Sequence, residues 1–147
     1  MSNLYQLSYI SKNLVTGDKN ALQSQIESIL ISASKNNHKM NITGALLYSG
    51  GYFCQVIEGE EESIEEIFEI IQQDNRHTEI TVLNFEKSEE RSFSEWAMAF
   101  AGIEDSMRFN IDGIKKSNDL NAMKKTGKDI VTALEKLVRK KEESNAS

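Results

Sequence analysis

The sequence predicts an α+β fold in which one sheet is covered by two helices on a single face. Three observations carry that prediction. The stretch Ile42 to Gly59, ITGALLYSGGYFCQVIEG, is two apolar runs hinged on Ser49-Gly50-Gly51, which reads as a β-hairpin because glycine takes the positive φ such turns require. Segments with apolar residues at three- and four-residue spacing lie on either side of the hairpin. Alternating strand-like runs stand outside those. The order is β-α-β-β-α-β with one further strand, the ferredoxin-like arrangement.

Taken in order, Leu4 to Ser11 alternates as a strand, with Tyr5, Leu7, Tyr9 and Ser11 on one face and Leu4, Gln6, Ser8 and Ile10 on the other. A polar connector, Lys12 to Asp18, leads to an amphipathic helix from about Asn20. Leu22, Ile26, Ile29, Leu30 and Ala33 form its stripe, and it ends near Asn36-Asn37. In the second hairpin strand Phe53, Gln55 and Ile57 share one face and Tyr52, Cys54 and Val56 the other. Glu60 to about Gln73 reads as the second helix, with Ile64, Ile67, Phe68 and Ile71 inward and Glu60, Glu61 and Glu62 where the helix dipole favours negative charge. Asp74-Asn75-Arg76-His77 is a polar turn before a strand at Ile80 to Phe85. A charged connector, Lys87 to Ser94, precedes a short strand, Trp96 to Phe100, with Trp96, Met98 and Phe100 on one face.

Residues 103–113 read as irregular. Ile114 to about Lys141 reads as helical with a break near Gly127, where Thr126-Gly127-Lys128-Asp129 resembles a capping box. Ile130, Leu134, Leu137 and Val138 form a stripe, and Glu142 to Ser147 should fray. The ferredoxin-like sheet leaves one face bare, towards which Tyr52, Cys54 and Val56 point together with Leu4 and Ile10. The apolar stripe of the tail is expected to cover such a face, its own or a partner's.

The 147 residues make one domain plus at most an appendage, so residues 1–102 are expected as the core domain and 103–147 as a helical extension. Residues 1–110 hold 17 acidic and 8 basic side chains, a net −9, whereas residues 111–147 carry a net +3. An acidic body argues against a nucleic-acid partner. No apolar run approaches the ~18 residues of a membrane span, and one cysteine allows no intrachain disulfide, so a cytoplasmic home is expected. The two histidines, His38 and His77, lack metal-ligand spacing. The glycines of the hairpin do not lead into a helix as a phosphate loop would.

The polar residues of the helix-facing side carry the functional argument. A primary amide at Gln55, between Phe53 and Ile57, is costly to bury unless hydrogen-bonded. By parity and topology Tyr9 and Gln55 both point towards the helices from neighbouring central strands, Asn37 ends the first helix, and Trp96 and Met98 sit on the last strand. Singly, each reads as a satisfied interior residue. Together they describe a pocket for a flat ligand with hydrogen-bonding edges. Cys54 faces away from Gln55 and reads as a small buried hydrophobe.

The motifs LSYISK, the asparagine before NITGALLY, FCQVIEGE, QDNRHTEI and FSEWAMAF occur in that order across about residues 4–100. In this the chain resembles the BLUF domains, the flavin-binding sensors of blue light, in a short form with no enzymatic effector. The resemblance implies FAD as cofactor, with FMN or riboflavin possible. It implies Tyr9 as photoactive electron and proton donor, Gln55 as the switch beside the flavin and Asn37 as holder of the ring's pyrimidine edge. Ile29 and Ile71 would sandwich the ring, and Trp96 and Met98 match a pair that rearranges as the signal leaves. Arg76 and His77 match the family's Arg-His turn, where a structural role competes with cofactor contact.

A phenol can give an electron and a proton, and a primary amide can reverse its hydrogen-bond pattern without moving backbone. Gln55 would then bond the flavin C4 carbonyl more strongly, a red-shifted state. The expected output is protein–protein interaction, with a response-regulator-like or transcriptional partner and a homo-oligomeric assembly. The chain is not expected to be an enzyme. An acyl-phosphate hydrolase on the same fold would need a phosphate loop that is missing. The alternative is a non-photoactive ligand-binding or assembly module, which would be colourless.

Overall fold

Alternation of apolar side chains sets the strands, and their pairing fixes the rest. The computed structural model describes residues 4–13, 19–49, 51–73, 77–93, 98–104 and 120–145. Its elements are β1 (Leu4–Asn13), α1 (Lys19–Lys39), β2 (Thr43–Ser49), β3 (Tyr52–Glu60), α2 (Glu61–Gln72), β4 (His77–Lys87), β5 (Ala99–Glu104) and α3 (Leu120–Asn145). The sheet order is β4-β1-β3-β2-β5, antiparallel except for the parallel β2–β5 pair. β1 and β3 are central neighbours, as the ferredoxin-like order requires. Gly51, with φ of 92°, supplies the positive-φ residue before β3.

One layer of backbone divides two cores. Leu7, Tyr9, Leu46, Phe53 and Ile57 pack with Ile26 of α1 and Ile64 and Ile67 of α2. Ile10, Ala45, Leu47, Cys54, Val56 and Leu83 pack with Phe93 and with Ile130, Leu134 and Val138 of α3. The predicted covering of the bare face by the tail stripe is what the chain does. Burying those three α3 side chains contributes on the order of 5 kcal/mol before the entropy of ordering the helix.

Several expected boundaries move. α1 runs on to Lys39 rather than ending near Asn36-Asn37. It stops where Asn41 takes a left-handed φ of 57° and the Ile42 amide returns 2.8 Å to the Asn37 carbonyl. β4 extends past Ile80–Phe85 at both ends, because Glu86 and Lys87 pair through backbone with Gln6 and Tyr5, which no apolar pattern reports. His77 opens β4 instead of closing a turn, and residues 74–76 lie outside the described residues. The last strand is Ala99–Glu104, later than the predicted Trp96–Phe100, since its extent follows its pairing with Ala45 to Ser49.

α3 is continuous through Gly127, where a break was expected. A Cβ there would lie 2.7 Å from Ser8 Oγ and 3.1 Å from Asn84 Cβ, so the glycine permits close approach of helix and sheet. Thr126 does not cap: its hydroxyl donates 3.0 Å back to the Ala122 carbonyl within the helix. The expected irregular stretch after Glu104 and the helix start at Ile114 lie outside the described residues.

Candidate functional site

The floor of the site follows from strand register. Tyr9 on β1 stands directly opposite Gln55 on β3, and Gln55 is opposite Leu46 on β2. All three side chains point to the α1–α2 side. The Tyr9 hydroxyl donates to Gln55 Oε1, and Gln55 Nε2 donates to Met98 Sδ at 3.7 Å. Tyr9 is 1% and Gln55 7% exposed, so an unmade bond here would cost about 1–3 kcal/mol. The edge of the Tyr9 ring meets Phe68 of α2, with ring centroids 5.5 Å apart.

The amide is held unequally. Its oxygen takes a phenolic proton donor, while its nitrogen rests on a thioether, a weak acceptor. Reorienting the carboxamide therefore gives up one good bond and one poor one.

Above the floor, α1 and α2 leave a cleft with about 640 Å³ of empty space, counted with its open mouth. α1 contributes Ile29, Ser32, Ala33, Asn36 and Asn37, and α2 contributes Ile67, Ile70 and Ile71. Tyr9, Ser11, Leu46, Phe53 and Gln55 form the base. Ile29 and Ile71 thus come from opposite walls. Asn37 is 1% exposed, and its carbonyl accepts from the amides of Met40 and Ile42, which fixes it at the end of the α1 wall.

Such a donor set fits an isoalloxazine ring. Its flat faces need apolar walls, which the isoleucines and Ala33 supply. Its polar edges need amides and hydroxyls, which Asn36, Asn37, Gln55 and Tyr9 supply.

Of the residues singled out by sequence, Tyr9, Ile29, Asn37, Gln55 and Ile71 converge on this cleft, and Met98 touches it through Gln55. Met98 sits at the bend before β5 rather than on the strand, with its side chain in the helix-side core. Trp96 and Arg76 lie outside the described residues. Ser11, Ser32, Ala33, Asn36, Leu46, Phe53, Ile67 and Ile70 join the lining without having been proposed for it. Ser11 and Phe53 share the parity of Tyr9 and Gln55, and Ala33 and Ile67 stand one turn from Ile29 and Ile71. Those signals were available; the depth of the cleft was not.

Cys54 packs in the α3-side core, across the sheet from Gln55. Burial pushes its thiol from the ordinary value of 9.0 up to about 12. Among the described residues there is no group of three or more His, Cys, Asp or Glu able to hold a metal ion, and no helix is long and apolar enough to cross a membrane.

Comparison with known proteins covers the part of the chain that builds this cleft. The family model described as "BLUF: Sensors of blue-light using FAD" matches residues 4–99. Photoactivated adenylate cyclase subunit beta of Euglena longa is 31% identical over 101 residues, which is 68% of this chain and 11% of that protein. The blue light- and temperature-regulated antirepressor BluF of Escherichia coli (strain K12) is 35% identical over 74 residues, 50% of this chain and 18% of that one. The chain therefore spans only about a tenth to a fifth of the length of these curated relatives. The dark-state structure of BlrB, a BLUF protein, superposes with a TM-score of 0.67 at 28% identity, covering 94% of this chain and 96% of that chain. A sensor module of this kind binds flavin and receives blue light; it does not turn over a substrate. By its residues 4–99, its sheet and its two-helix cleft, the chain belongs to the BLUF family, the blue-light sensors that use flavin.

Proposed function

We propose that Tyr9 and Gln55 are the photoactive pair of this sensor, with Ile29, Asn37, Ile71, Trp96 and Met98 completing the cofactor site. The observation that carries this reading is the continuous chain Tyr9–Gln55–Met98 under the cleft. Bound flavin, when excited, supplies an oxidant strong enough to draw an electron from a phenol. Tyr9 would yield that electron with its hydroxyl proton and take both back once Gln55 has rearranged, so that the red-shifted state differs from the dark one in its hydrogen bonds. Loss of the phenolic donor frees Gln55 Oε1, and the carboxamide turns so that donor and acceptor exchange places. The apolar walls keep water from competing for those bonds.

FAD is the preferred cofactor over FMN or riboflavin, because the family is described by its use of FAD. The sensor unit is residues 1–102 and the output extension residues 103–147. That division runs through β5, making the strand common to both parts. Met98 directly precedes β5, and α3 packs on the same sheet, so a changed Gln55 contact has a short route to the extension. We assign the output to protein–protein interaction in the cytoplasm, with a response-regulator-like or transcriptional partner and a homo-oligomer of this chain. A regulatory partner is in keeping with the antirepressor role named for the Escherichia coli relative.

The test is an absorption spectrum of the purified protein before and just after blue light, with acid extraction and chromatography to identify the chromophore. A yellow protein whose flavin band moves to the red and recovers in darkness is expected. Flavin bound without the shift overturns the assignment of the pair.

A further inference from the structure

The most deeply buried carboxylate in the described residues lies outside the cleft. Glu58, near the end of β3, is 0% exposed. By alternation its side chain leaves the sheet on the face of Cys54 and Val56, opposite to Gln55. It is saturated with donors. Oε2 accepts from Gln6 Nε2 at 3.0 Å and from the Ser92 amide at 2.6 Å; Oε1 accepts from the Thr43 hydroxyl at 3.1 Å and from the Phe93 amide at 2.9 Å. Four bonds fill the roughly four lone-pair sites of a carboxylate.

Arg91 closes the bracket. Its Nη1 donates to Thr43 Oγ1 at 2.9 Å and to the Glu58 carbonyl at 3.2 Å, and its Nη2 donates to the Asn41 carbonyl at 2.9 Å. The chain at residues 91–93 is thereby tied to the start of β2 and the end of β3. What this segment leads to gives the bracket its meaning. Phe93, 0% exposed, packs in the α3-side core, whereas Met98, five positions later, packs in the helix-side core against Gln55. Residues 94–97 lie outside the described residues, but the two ends of this short connector sit one in each core.

We propose that Glu58 is a positioning residue that sets both feet of this connector: the Met98 contact on Gln55, and the seat of Phe93 beneath α3. The carboxylate matters because two of its four donors are backbone amides, which cannot reverse. Glu58→Gln keeps the shape but turns one end into an NH2 group. Gln6 can flip its amide and Thr43 can rotate its hydroxyl to meet that group. Whichever end it occupies, however, it faces the N–H of Ser92 or of Phe93. One of the two connector amides loses its acceptor.

The test uses the full chain in the dark, so it is read without any light response. Amide hydrogen exchange of Ser92 and Phe93 is compared in wild type and Glu58→Gln, together with the methyl resonance of Met98, assigned with Met98→Leu. At least one of the two amides should exchange about tenfold faster, as expected for loss of one buried bond to a charged acceptor, and the Met98 methyl should shift. In the light-exposed protein, dark recovery should change in Glu58→Gln and in Met98→Leu in the same direction, and the double variant should match the single ones rather than add to them. Thr43→Ala, a milder loosening of the same bracket, should move the same signals in the same direction and covers the case in which Glu58→Gln does not fold. Unchanged amide exchange, or faster exchange with the Met98 methyl unmoved, overturns the proposal. The inference rests on the photoactive-pair reading only for the recovery measurement. A wild type without any light response would sink that reading and leave the exchange and methyl tests standing.

Discussion

On the proposed reading, one atom of Tyr9 serves both structure and signal. Its hydroxyl is the sole polar feature of a ring otherwise packed among apolar neighbours, and it is spent on Gln55 Oε1. Tyr9→Phe should keep bound flavin, lose the stable red-shifted state and cost about 1–2 kcal/mol, from the bond and the acceptor left bare. Difference spectroscopy and denaturant titration read the two effects; a normal photocycle in this variant would refute the assignment. Cys54, one residue away on the other face, does different work. Its folded thiol titrates near 12 instead of 9.0, so the unfolded chain releases that proton first as pH rises. Stability is therefore fully present below about pH 9 and falls between about pH 9 and 12, by up to about 1.4 kcal/mol per unit. Cys54→Val should flatten that slope in stability measured across the range. The pairing of Tyr9 with Gln55 could be anticipated from parity and strand order. Glu58 could not, because a lone glutamate near a strand end reads as solvated until the chain that folds over it is known.

Elements were legible to the degree that side chains, rather than backbone, define them. α1, α2 and the hairpin carry their own apolar pattern and were found close to their true limits. The alternation Trp96-Met98-Phe100 is real as a pattern and points to a strand that begins before β5 does. The strand's extent, however, is dictated by parallel pairing with β2, through Glu104 opposite Ser49. Propensity alone makes Gly127 a helix breaker, with a penalty of about 1 kcal/mol. Its packing overrides that, since Ser8, Leu83 and Asn84 leave no room for a side chain. Gly127→Ala sets the helix gain against the crowding and should change stability by less than about 1 kcal/mol, whereas Gly127→Val should cost about 2 kcal/mol or more. Urea unfolding midpoints distinguish the two; equal values would mean that α3 can ride away from the sheet at no cost.

At the scale of the whole molecule, the sheet is wetted by neither of its faces at β3, and each face depends on a different partner. Helices α1 and α2 form one cover and the cleft; α3 is the other cover. A chain ending before Leu120 should expose Ile10, Leu47, Val56 and their neighbours, bind an apolar fluorescent dye and elute as aggregates in size-exclusion chromatography. A dispersed, dye-silent product would show that the face is tolerated bare. The same two-sided burial has a consequence in time. Val56 is made roughly 90 residues before Asn145 completes α3, so at about 5–20 residues per second a growing chain carries an uncovered apolar face for roughly 5–20 s. During that interval the uncovered face is open to aggregation, so faster synthesis of α3 should raise the yield of folded sensor.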